Sequence, residues 1–106
     1  MAKRQRKTKE KWNMTDGNAL ALTRAFLSMK DSGEMRAFMR DLLTESEIVE
    51  FSKRFYAARA IAGSTHYAAI EEATGLSSRT IARVKKWFKH CTGGYRLAIK
   101  RWKHQI

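Results

Sequence analysis

An all-helical domain is what this sequence predicts, on three observations. Its 106 residues contain no proline, and 43% of them are hydrophobic, enough for a small core. The apolar residues recur at three- and four-residue intervals rather than in alternation, the period of a helix with one buried face. Residues that start and stop helices fall between those runs. A chain this short fits one domain, here residues 13–106, preceded by an arm over residues 1–12.

The arm, MAKRQRKTKEKW, carries six bases against one acid and no apolar period, so it reads as a disordered basic segment. Thr15 or Asp16 can cap a first helix reaching about Lys30, with Leu22, Phe26 and Met29 on one side. Asp31, Ser32 and Gly33 form a turn. A short helix follows from about Glu34 to Leu43, with Met35, Phe38, Met39 and Leu42 apolar. Thr44 then opens a longer helix, and Glu47 stands three places on, as a capping box requires. On that helix Ile48, Phe51, Phe55, Ala58 and Ala62 form the expected core face, and Gly63, Ser64 and Thr65 close it.

The stretch from Thr65 to His90 is the most informative. A short helix over about 66–74 stops at Gly75, the residue type that best tolerates a left-handed turn. Ser77 or Ser78 caps a second helix reaching about His90. Two short helices joined by a tight glycine turn are a helix-turn-helix, here over about 66–90. Ile81, Val84 and Phe88 form the inward stripe of the second helix. Arg79, Arg83 and Lys86 form an outward basic stripe, with Lys85 and Lys89 beside it. That division of faces suits a helix that reads a major groove. Gly93 and Gly94 make a joint. A last helix, from Tyr95 to about Lys103, sets Tyr95, Ala98, Ile99 and Trp102 against Arg96, Lys100 and Lys103.

The charge agrees. The net charge is +12, and it is concentrated at the two ends. Residues 13–72 hold seven bases and nine acids, whereas residues 73–106 hold nine bases and no acid. Such a segment attracts polyanions. Trp87, Phe88, Tyr95 and Trp102 interleave with those bases, a pattern that single-stranded nucleic-acid binders use for stacking. Helical spacing favours packing roles for Trp87 and Phe88.

The residues LLTESEI (42–48), AARAI (57–61), EEATGLSSRTIARV (71–84) and GGYRLAI (93–99) resemble the Trp repressor superfamily, and within it the Trp-repressor-related, YerC/YecD-like bacterial branch. The resemblance covers a little over half the chain. It implies an intertwined helical homodimer whose two heads enter successive major grooves, with half-sites roughly 34 Å apart. Base contacts in the namesake's operator complex are largely water-mediated, so Arg79 and its neighbours would read through water. By position, the family's DNA-facing residues fall on Tyr67, Ala68, Glu71, Ser78, Arg79, Thr80 and Arg83, and the reading of the helix start adds Ser77. Glu71 departs from the small residue usual at that point of the motif.

An effector pocket is a separate matter. The resemblance puts Leu43, Thr44, Arg54 and Arg83 where the namesake holds tryptophan, but Val84 and Trp87 stand where the indole needs room. A buried Trp87 would fill that space and leave a permanently shaped reader, so no cofactor is expected.

Catalysis has little to stand on. His66, His90 and His104 are scattered, and no second cysteine accompanies Cys91 in a metal-ligand spacing. Cys91 falls three places beyond Phe88 and is expected to be a buried structural thiol. No apolar run approaches the roughly 18 residues that span a bilayer. A lone cysteine and no leader-like stretch point to a reducing, cytoplasmic setting at the nucleoid. The expected function is a sequence-specific regulator of double-stranded DNA, without enzymatic activity or metal. The alternative is a low-specificity nucleic-acid binder, architectural or RNA-directed.

Overall fold

The structure is a computed structural model that describes residues 15–103. The basic arm, Trp12 and His104 lie outside the described residues. Within them all regular structure is helical: α1 (Gly17–Leu27), α2 (Ser32–Leu42), α3 (Glu45–Ala62), α4 (Tyr67–Thr74), α5 (Ser78–His90) and α6 (Gly94–Lys103). The chain divides into two compact units, one up to Ile48 and one from Val49 on, with the boundary inside α3.

In the first unit, local polar side chains set the helix ends. The Asp16 carboxylate accepts from the N–H groups of Asn18 and Ala19 at 3.0 and 3.1 Å, which fixes the start of α1. That helix ends at Leu27, short of Lys30. The Ser28 N–H is shared between the carbonyls of Arg24 and Ala25, and its hydroxyl donates to Ala25 at 2.8 Å, tightening the last turn. Asp31 accepts from Glu34 N–H at 2.9 Å, so Ser32 and Gly33, expected as turn, become the first residues of α2. The Glu34 carboxylate reaches back to the Lys30 N–H at 2.8 Å. The capping box at Thr44 and Glu47 is formed in both directions, at 2.9 and 3.0 Å. Phe26 and Phe38 meet edge to face with centroids 5.3 Å apart. Even so, neither α1 nor α2 buries a single residue.

The second unit does have a core. Ala57, Ala58, Ile70, Leu76, Ile81, Val84 and Ile99 are buried, with Phe55, Ile61, Tyr67, Phe88 and Tyr95 packed around them. The face expected for α3 holds at Ala58, which is buried, and at Phe55, which packs against the core; it is corrected at Phe51, 43% exposed, and at Ala62, also exposed, while Ala57 is buried in their place. α3 carries apolar residues on several sides, so its own pattern selects no face. Ala57 and Ala58 fill the interior positions of the helix, Phe55 and Ile61 pack against the core from beside them, and Phe51 is left at the surface. Arg59 ties α6 to α3. Its guanidinium lies 4.5 Å from the Trp102 ring and 5.1 Å from that of Phe55, and its Nε is buried with no hydrogen-bond partner. Trp102 is thus half-buried and engaged within the fold. α3 is closed by Ser64, which takes the left-handed conformation at φ +64.

A candidate nucleic-acid interface

α4, the turn and α5 are built as the sequence predicts, and the details show what holds the turn rigid. Gly75 caps α4 at φ +76, and its N–H donates to the Glu71 carbonyl at 2.8 Å. The buried Thr74 hydroxyl donates to the Ile70 carbonyl at 2.7 Å and accepts from Leu76 N–H at 3.0 Å. One hydroxyl therefore satisfies backbone groups on both sides of the bend. Leu76 drops into the core, and Ser77 caps α5 by accepting from Thr80 N–H at 3.2 Å. No signal in the sequence marked Thr74 for this role. Glu71 is half-buried, and its backbone is tied into the turn.

α5 separates its faces cleanly. Ile81 and Val84 are fully buried and Phe88 is half-buried against the core. Arg79, Arg83, Lys86 and Lys89 are exposed, as are Ser77 and Ser78 at the helix start. None of these bases takes part in an ion pair among the described residues; the pair found there joins Arg54 to Glu50 at 3.5 Å. Lys85 is half-buried and its ammonium lies 5.7 Å from the Tyr67 ring, which links the basic side of α5 to the start of α4. Ala68 is exposed on α4 beside Tyr67, and Thr80 is half-buried by the capping contact. His66 precedes α4 without a side-chain cap, while its carbonyl takes the N–H groups of Ala69 and Ile70 at 3.1 and 3.2 Å. Beside this helix start lies an open hollow of about 440 Å³ walled by His66, Tyr67, Lys85, Phe88 and Lys89. Tyr67, Lys85 and Lys89 are therefore brought together, while Ser77, Ser78, Arg79 and Arg83 form the leading part of the same basic face.

Two expected burials do not occur. Trp87 is 41% exposed. It lies about a quarter turn away from the centre of the Ile81, Val84 and Phe88 stripe, so packing that stripe leaves the indole on the flank. Cys91 is exposed as well. α5 ends at His90 and Cys91 leaves helical geometry at φ −92, ψ −134, so helical spacing from Phe88 no longer describes it.

The residues expected to line an effector pocket fall in different settings. Leu43 and Thr44 belong to the first unit, and Thr44 is used as the cap of α3. In the second unit, Arg54 is paired with Glu50 and stacks on Phe51 at 5.6 Å. It also faces the Tyr95 phenol, whose pKa is raised by burial and pulled partly back by the Arg54 charge. Val84 is buried in the core. Among the described residues no group of three or more His, Cys, Asp or Glu is placed to hold a metal ion. No described helix is long and apolar enough to cross a membrane.

Comparison with known proteins agrees with this geometry. The chain is 37% identical over 80 residues to the uncharacterized protein YerC of Bacillus subtilis (strain 168), covering 76% of this chain and 77% of the relative. Its fold is similar to that of a TrpR-like protein from Eubacterium eligens ATCC 27750, with a TM-score of 0.80 and 32% identity over 85% of this chain and 93% of the other. The model of the Trp repressor protein family matches residues 18–103, and the chain belongs to that family.

Proposed function

We propose that this chain is a sequence-specific regulator of double-stranded DNA, a repressor that reads the major groove with α5 and works in the cytoplasm at the nucleoid. The observation that carries this reading is the two-faced α5. Its apolar stripe is locked into the core by Ile81 and Val84, while Arg79, Arg83, Lys86 and Lys89 stand exposed without acidic partners among the described residues. A rigid helix of that kind presents guanidinium groups that match the acceptors of guanine, and in this reading Tyr67, Ala68, Ser77, Ser78 and Thr80 meet the backbone.

The working form is a homodimer. α1 and α2 carry Leu20, Leu22, Phe26, Leu27 and Phe38 and bury none of them, and Leu27 is 79% exposed. A second copy is the occupant that the family implies for such a surface. No small-molecule effector is required. Arg54 already has a carboxylate partner in Glu50, and Val84, which the resemblance puts where an indole would need room, is buried in the core.

The test is selection of fragmented genomic DNA on the purified protein at about 0.15 M salt, where charge-only contacts weaken. A regulator enriches a few fragments that share an inverted repeat, and the enrichment is unchanged by added tryptophan. Arg79→Ala or Arg83→Ala then costs about 1–3 kcal/mol on the enriched duplex and less on random DNA. A second reading, a low-specificity nucleic-acid binder, draws on the exposed Trp87 and the nine unopposed bases of residues 73–106. It predicts indiscriminate recovery and a steep salt dependence instead.

A further inference from the structure

Arg96 lies on the first turn of α6, away from the basic face of α5, yet its guanidinium is committed to α5. Its Nη1 donates to the Phe88 carbonyl at 2.7 Å and to the Lys89 carbonyl at 3.1 Å. The last four carbonyls of a helix have no partner within it. α5 ends at His90, and the Trp87 carbonyl takes the Cys91 N–H at 3.2 Å, so Arg96 supplies partners for the next two. Gly93, at φ +89, turns the chain back so that α6 begins beside the helix it has just left. A side chain at Gly93 would come within 3.7 Å of Arg96 Nη2, so the guanidinium sits directly over that turn. The cation also faces the negative end of the α5 dipole.

We infer that Arg96 is a positioning residue for the reading helix: it holds the last turn of α5 and thereby presents Lys89 to a phosphate, without touching nucleic acid itself. This rests on the DNA-binding reading above. Within that turn Phe88 packs against the core and Lys89 is exposed, so fixing both carbonyls fixes the direction in which the Lys89 ammonium leaves the helix. The periodicity of α6 alone places Arg96 among outward bases, and by charge alone it would count as one more phosphate contact.

The two roles separate in a double-mutant cycle on the full chain, using the duplex recovered by selection and amide hydrogen exchange on the free protein. Arg96→Ala is expected to speed exchange of the Lys89, His90 and Cys91 amides about tenfold while leaving those of Ile81 and Val84 unchanged. Arg96→Ala and Lys89→Ala are each expected to weaken binding about fivefold, with the double variant no more than about twofold worse than either. Arg96→Gln keeps a donor for the carbonyls without the charge, and should retain most of the affinity. Multiplying losses, toward about 25-fold, with Gln no better than Ala, would overturn the inference in favour of a direct phosphate contact. Unchanged exchange in Arg96→Ala would overturn the clamp itself. A wild-type chain that binds no duplex would refute both the DNA-binding reading and the role given to Lys89, while the exchange result would still decide whether Arg96 holds the turn.

Discussion

The two units of this chain use similar amounts of apolar sequence to different ends. The first, with α1 and α2, is rich in Leu, Met and Phe, yet no residue of either helix is buried. The second closes around Ala57, Ala58, Ile70, Leu76, Ile81, Val84 and Ile99, most of them small or branched. The difference lies in geometry rather than hydrophobicity. Two short helices cannot surround a side chain, whereas α3, α4, α5 and α6 together contribute side chains to one cluster that can. A unit that folds around its own core can present a rigid surface, and the basic face of α5 stands on that unit. A unit that leaves its apolar side chains at the surface is suited to being completed by another chain.

The comparison breaks most readily at the core. Ile81→Ala should cost about 2–5 kcal/mol, because a fully buried branched side chain leaves a cavity where α5 meets its neighbours. Chemical denaturation should give the same loss at every protein concentration. Leu27→Asp should do the reverse. It should leave the helix content of each chain intact, but weaken self-association at least about tenfold in sedimentation. An unchanged sedimentation profile would mean that the first unit is not the dimer surface. Gly75→Ala probes the turn, where φ +76 puts a Cβ in the left-handed region although no atom lies within 4 Å of it. The cost should be about 1–2 kcal/mol of backbone strain, read as a drop in Tm. The smallest effect concerns Tyr95. Burial raises its pKa above the ordinary 10.0, with Arg54 pulling the other way. Its contribution is therefore full below about pH 10 and is lost as the pH rises through the higher value of the folded state. Tyr95→Phe should flatten that alkaline loss in a Tm titration.

Much of the segment from α4 through the glycine turn to α5 was legible because its determinants are local. Gly75 needs a left-handed turn, Ser77 caps, and the Ile81, Val84 and Phe88 spacing faces one way whatever surrounds it. The capping box of Thr44 and Glu47 was readable for the same reason. Less local features were not. Helical counting carried Cys91 into the core because nothing in its spacing shows that α5 stops one residue earlier. Trp87 was expected to pack on its helical spacing, but that spacing sets it to the side of the Ile81, Val84 and Phe88 stripe, and in the single chain it stays exposed. Arg96 looked like any other base of α6, since its partners are backbone carbonyls eight and seven residues back.

By itself, the sequence determined that the chain is helical, where the caps fall, that a glycine turn joins α4 to α5, and that α5 divides into an apolar and a basic face. Each of these depends on contacts within a few residues, and the energies involved are properties of short segments. Only the tertiary structure decided which face of α3 is buried, that Thr74 serves both sides of the turn, that Arg59 holds Trp102, and that Arg96 closes the end of α5. Those choices depend on which helices approach closely enough to exclude water. α3 offers apolar residues on several sides, so its pattern alone could not settle which of them would meet α4, α5 and α6.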